Sequence, residues 1–184
     1  CGTALTEDQL QLLWRSGGEP TFSFDGDIAG KRAADKAIDL AIPHLAPGRT
    51  LRIAYAPEGK DPDDIFREGG AEALSALLEA ALPASTALFD REHARHGLAT
   101  PEARAAFQAA LKEAAQKIAD RDTSRAYFSD LLQRYNQLIR ALLGSTIEAA
   151  GILGVDRDLA GQLAEIRRQV PPDQVGKHGQ LQEW

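Results

Sequence analysis

Methionine is missing from all 184 residues, and the chain opens on Cys1. Translation starts at methionine, so the expectation is a piece of a longer protein or a processed chain. A single cysteine excludes an internal disulfide. It also argues against structural zinc in this chain, because four ligands would have to come from one Cys, four scattered His and carboxylates. His93 and His96 stand three apart on a predicted helix, but no further ligands lie near them, and they read as surface residues. An N-terminal cysteine also marks processed lipoproteins, yet here a packed helix and strand follow at once in place of a flexible tether. No apolar run approaches the ~18 residues needed to span a bilayer, and no secretory signal is visible. The expectation is a cytoplasmic protein with no membrane partner.

Positive charge is also scarce. Twenty-one Lys and Arg stand against 27 Asp and Glu, a formal net charge of −6. A protein that grips nucleic acid with its whole surface is usually basic. Any such contact is therefore local, or comes from a part outside this chain. Gly and Pro are not in excess and no segment is of low complexity, which argues against bulk disorder. A hydrophobic content of 43% supports a real core, in one domain or one and a half.

Along the chain, Thr6 reads as the cap of a helix with Glu7 and Asp8 in its first turn. Leu10, Leu13 and Trp14 recur at helical spacing until Gly17-Gly18. Residues 20–24 read as a short strand, and Asp25-Gly26-Asp27 follows directly. From Ile28 the pattern is helical, with Ala29, Ala33, Ala37 and Leu40 as its apolar stripe. Residues 50–55 (TLRIAY) alternate as a second strand. The order strand, helix, strand predicts a βαβ unit with parallel strands and a right-handed crossover. Beyond Asp61-Pro62-Asp63-Asp64 the chain reads as helical, with helices over 71–81, 83–96 and 101–119. A further helix starts at Asp122-Thr123, with Tyr127, Leu131, Tyr135 and Leu138 as its stripe. The expected fold is thus α/β with parallel strands and flanking helices, followed by an all-α part, the boundary falling near Gly69-Gly70. Past Gly144 the signal weakens to one more helix over 158–170 and a Pro171-Pro172 tail.

Asp25 and Asp27 fall where a strand ends, at the carboxyl edge where α/β sheets place ligands. Gly26 permits a tight turn and close backbone approach, and the helix from Ile28 aims its positive end at the same place. An ordinary Asp-Gly turn explains the same residues. Asp61, Pro62, Asp63 and Asp64 form a strong helix start by capping rules alone. Together the two acidic clusters end successive parallel strands and should lie side by side. A magnesium ion would relieve their repulsion, which points to phosphoryl or nucleotidyl transfer. Lys31, Arg32 and Lys60 are candidates to contact phosphate, or residues of a solvated face.

Two other acidic chemistries use carboxylates at similar spacing. An EF-hand loop from Asp25 needs Glu at its twelfth position, where Lys36 stands. A haloacid-dehalogenase-like phosphatase also places two Asp two apart after its first strand, but usually has Thr or Val two residues after the second. Here that residue is Ala29, and the chain turns helical early. A non-catalytic interaction module derived from the same α/β fold is the remaining alternative.

Several segments together resemble bacterial DnaG-type DNA primases. They are GTALTEDQL at 2–10, FDGDIAGKRAA at 24–34, PEGKDPDDIFREGG at 57–70, TPEARA at 100–105 and DRDTSRAYFSDL at 120–131. The resemblance covers roughly residues 1–143. It implies the C-terminal part of a Toprim domain over 1–69, a helical subdomain over 70–143, and an unassigned helix and tail over 144–184. It further implies that Asp25, Asp27, Asp61 and Asp63 hold Mg2+ or Mn2+, with Asp25 and Asp27 catalytic. The implied partners are nucleoside triphosphates, single-stranded DNA template, the RNA primer, and a replicative helicase bound through a region outside this chain. The family's catalytic Glu lies on an earlier strand that this chain does not contain, so the expectation is that the fragment is inactive alone.

Overall fold

The computed structural model describes residues 5–152. The expected helix over 158–170 and the Pro171-Pro172 tail lie outside the described residues. By compactness the chain divides at Leu131, with residues 1–131 in one unit and the chain from Leu132 in a second.

Helix α1 (Glu7–Arg15) starts where the sequence says it should. Thr6 accepts from the Gln9 amide, and the Gln9 side chain accepts from the Thr6 amide, a reciprocal cap. Its buried face is Leu10 and Trp14, and Trp14 Nε1 donates to Thr50 O at 2.7 Å, tying α1 to the approach of the second strand. Leu13 remains 40% exposed, so it is not part of that face.

Strand β1 (Thr21–Phe24) pairs in parallel with β2 (Arg52–Tyr55), Thr21 opposite Arg52 and Phe24 opposite Tyr55. Helix α2 (Ile28–Ala41) and a single 3-10 turn (Ile42–His44) connect them, giving the expected βαβ unit. The sheet is mixed, however. A two-residue strand β3 (Leu82–Pro83) adds to β2 in antiparallel sense, in the order β1-β2-β3. The inward face of α2 is Gly30, Ala34, Ala37, Ile38 and Ala41, rotated from the expected Ala29, Ala33, Ala37 and Leu40. The cause is Gly30, whose missing side chain lets the helix press against the Asp25 backbone.

Helix α3 (Pro62–Glu79) begins nine residues before the expected 71–81 helix, because Asp61 and Asp64 cap it reciprocally. It breaks at Gly70, whose φ of 65° and ψ of −161° suit glycine. The Gly69-Gly70 pair, where the boundary was expected from sequence, lies at this kink. Helices α4 (Ala84–His96), α5 (Pro101–Gln116) and α6 (Arg121–Ile152) follow. Thr100 caps α5 through the Ala103 amide, with Pro101 at the first position. Along α6 the buried positions are Leu131, Tyr135 and Ile139. No helix among the described residues is long and apolar enough to cross a membrane.

The largest fully buried side chains of the first unit include Leu10, Ile38, Leu51, Ile53, Leu88, Phe107 and Leu111. Each contributes about 1.5–3 kcal/mol by burial. His93 belongs to this core more than to the surface. It is half-buried, its ring 5.6 Å from Phe107 and 6.5 Å from Phe89. A charge network, buried at Arg91 and Glu92, joins α2 to α4. Arg91, its side chain 7% exposed, donates to Asp39 Oδ1 (2.7 Å), Glu92 Oε1 (2.8 Å) and Asp35 O (3.3 Å). Arg95 completes it by donating to Asp35 Oδ2 at 2.9 Å and Glu92 Oε1 at 3.2 Å.

Candidate metal centre at the carboxyl end of the parallel strands

Both acidic segments leave the sheet at the same edge. Ala56 N donates to Phe24 O at 2.9 Å, closing the parallel ladder. Gly26 N then donates to Lys60 O at 3.1 Å. Gly26 is buried against this second loop so closely that a Cβ there would sit 2.5 Å from Ala56 O and nearer still to Pro57 O. The glycine between the two aspartates thus makes a seam between the loop carrying Asp25 and Asp27 and the loop leading to Asp61. The expectation is a close approach of Gly26 to a ligand; in the structure its neighbour is protein backbone.

Asp25 is exposed and makes no side-chain hydrogen bond or ion pair among the described residues. Asp27 is exposed and caps α2, its Oδ1 accepting from the Gly30 amide at 2.7 Å. Asp61 is half-buried and caps α3, its Oδ1 accepting from the Asp64 amide at 2.8 Å. Asp63 is exposed and ion-pairs with Arg67. The backbone brings the two loops together, but the four carboxylates do not gather. Among the described residues no three His, Cys, Asp or Glu side chains form a group that could hold a metal ion. Asp27, Asp61 and Asp63 each have a local partner that draws one oxygen aside. Of the candidate phosphate contacts, Lys31 and Arg32 are exposed on α2, whereas Lys60 pairs with Glu68.

A Toprim-like family model matches residues 1–66, which hold the βαβ unit and both acidic loops. The DNA primase of Escherichia coli K12 is 41% identical over 104 residues, 56% of this chain and 18% of that protein. The E. coli primase catalytic core superposes with a TM-score of 0.66 at 32% identity, covering 73% of this chain and 43% of the other. A DnaG primase catalytic domain bound to single-stranded DNA gives 0.65 at 33% identity, covering 72% and 43%. A second family model, the glycosyl hydrolase family 95 catalytic domain, matches residues 88–184.

The two models point different ways, and the primase match decides between them. The primase structures cover almost three quarters of the chain, at over 30% identity. The glycosyl hydrolase match takes in neither the sheet nor the acidic loops. The fold and its site define a Toprim-like α/β protein with a helical extension. The chain belongs to the DnaG-type DNA primases. It spans about a fifth of the length of the curated relatives it matches.

Proposed function

We propose that this chain is the C-terminal part of the catalytic core of a DNA primase, which makes short RNA primers on single-stranded DNA by metal-dependent nucleotidyl transfer. The observation that carries this reading is the Gly26 seam, which sets two acid-bearing loops side by side at the carboxyl end of two parallel strands. The donor set is all oxygen, without His or Cys, and suits Mg2+ or Mn2+. Magnesium usually takes only one or two protein carboxylates, with waters and substrate phosphates filling its remaining positions. Asp25, Asp27, Asp61 and Asp63 would hold the ion. Asp27 and Asp61 spend Oδ1 on their caps, and Oδ2 of each is left to serve. When bound, the ion supplies Lewis-acid stabilisation of charge on phosphoryl oxygens. Lys31 and Arg32 are placed to attract phosphate, and Lys60 joins them on leaving Glu68. Residues 1–69 serve as the Toprim part and 70–143 as the helical subdomain, with 144–184 unassigned. The template, nucleoside triphosphates and the RNA primer are the partners of the whole cytoplasmic enzyme. Its replicative helicase engages a region outside this chain.

A Mn2+ titration of the 184-residue chain tests the site. Asn caps a helix as well as Asp does, so Asp27→Asn and Asp61→Asn remove charge while keeping the fold. Each of these, and Asp25→Asn, is expected to weaken Mn2+ binding by about tenfold, as for loss of one charged contact. Indifference to all three overturns the site. The chain alone is expected to make no primers, because the family's Glu is not among its residues. Magnesium-dependent primer synthesis by this chain overturns that expectation.

A further inference from the structure

The start of α3 carries its own counter-charge. Asp61 and Asp64 each commit one oxygen to the reciprocal cap. Asp61 Oδ1 accepts from the Asp64 amide at 2.8 Å, and Asp64 Oδ2 accepts from the Asp61 amide at 3.2 Å. The Asp63 carboxylate is held instead by Arg67, one turn further on, whose Nη2 donates to its Oδ2. The same guanidinium reaches Asp64 Oδ1 through Nη1 at 3.4 Å. One arginine thus spans two of the three carboxylates at the start of the helix. Lys60, the other cation next to these acids in the chain, pairs with Glu68. Lys31 and Arg32, on α2, make no ion pair among the described residues.

Residues four apart on a helix can meet, but nothing locks this pair. The Arg67 side chain is 69% exposed and that of Asp63 71%, and an exposed ion pair is weak. A divalent ion brings twice the charge of a guanidinium to the same oxygen. We infer that Arg67 is a displaceable counterion of the metal centre: it occupies Asp63 and Asp64 in the metal-free chain and gives up Asp63 when Mg2+ or Mn2+ binds. The inference rests on the metal reading of Asp25, Asp27, Asp61 and Asp63, and adds to it a residue that is not a ligand. Two effects follow. Without the ion, Arg67 offsets repulsion among the acids at the start of α3. With the ion, the Asp63 pair must break, so Arg67 lowers the affinity. A pair that serves the helix alone has the first effect and not the second.

The test is Mn2+ titration of the full 184-residue chain, followed by the electron paramagnetic resonance of free Mn2+. Arg67→Ala is expected to tighten Mn2+ binding by roughly two- to fivefold, the strength of an exposed ion pair. A damaged fold cannot imitate such a gain. Arg67→Lys keeps a cation within reach of Asp63 and should bind within about twofold of the unaltered chain. With Asp63→Asn already present, Arg67→Ala should change the affinity by less than about twofold, because the two residues act through one contact. Melting temperatures read the reciprocal effect. Metal-free Arg67→Ala should melt about 2 °C lower than the unaltered chain, and saturating Mn2+ should close that gap, because the coupling is the same in both directions. Unchanged or weaker Mn2+ binding by Arg67→Ala, a gain that survives Asp63→Asn in full, or a melting gap that persists in saturating Mn2+ each overturns the inference. If Asp25→Asn, Asp27→Asn and Asp61→Asn weaken Mn2+ binding while Arg67→Ala leaves it unchanged, the counterion falls and the metal site stands. If Mn2+ does not bind, or binds indifferently to all four substitutions, the metal site falls and the counterion with it.

Discussion

Replacing Gly26 by alanine probes the seam directly. The added Cβ would stand 2.5 Å from Ala56 O and closer to Pro57 O, where ordinary contact begins at 3.4 Å. Neither oxygen can swing aside, since both belong to backbone, and Ala56 N is held by Phe24 O at 2.9 Å. The two loops must part by about an ångström. That displacement strains a packed contact, costing about 1–3 kcal/mol, and stretches the Gly26 N to Lys60 O bond, costing about 1 kcal/mol more. The sum is about 2–4 kcal/mol, or a fall in melting temperature of roughly 10 °C for a unit of this size. Circular dichroism reads the melt, and Mn2+ affinity should fall with it because the acidic loops separate. Gly59→Ala is the control. Gly59 has φ of 78° but open space around it, so its cost is the backbone penalty alone, about 1–2 kcal/mol. If Gly26→Ala melts no lower than Gly59→Ala and binds Mn2+ as before, the seam does not position the site.

Other outcomes follow from the same structure. Glu92→Ala leaves Arg91 almost fully buried with Asp39 as its one carboxylate. Loss of one member of a buried pair costs about 3–5 kcal/mol, and the surviving 2.7 Å pair with Asp39 puts this case at the low end. Urea unfolding measures it, and Glu92→Gln should recover part of the loss. For Tyr55, the folded pKa is raised by burial, so above its ordinary value of 10.0 the unfolded chain releases a proton that the folded chain keeps. Stability from this group is full below about pH 10 and is lost as pH rises beyond it. Melting temperatures between pH 9 and 11 should therefore fall less steeply for Tyr55→Phe than for the unaltered chain.

The parts of the fold that rest on local chemistry were legible in the residues. Thr6 and Thr100 are caps in the structure as in the sequence, and the strand, helix, strand order forms the parallel pair. The parts that rest on tertiary contact were not. Strand β3 is two residues long and ends in Pro83, a residue that reads as a strand breaker. The inward face of α2 is set by the fit of Gly30 to the Asp25 backbone, which no hydrophobic pattern encodes. No pattern in the sequence marks Arg91 and Glu92 for burial, yet both side chains are 7% exposed. At the site, adjacent residues determined whether the acidic loops meet. Helix capping determined where their oxygens point, and the Asp61-Pro62-Asp63-Asp64 run served the helix start first.

Among the described residues, the two edges of the three-stranded sheet differ. On the β3 side the pairing is short, and Pro83 offers no amide to a newcomer. On the other side β1 runs four residues with a half-buried surface, and it is the outermost strand. Its outer row of amides and carbonyls is a template for another extended segment. In concentrated solution, an unpaired row of this kind favours pairing between chains. A lysine at Thr21, the start of β1, would keep the preparation dispersed without touching the acidic loops.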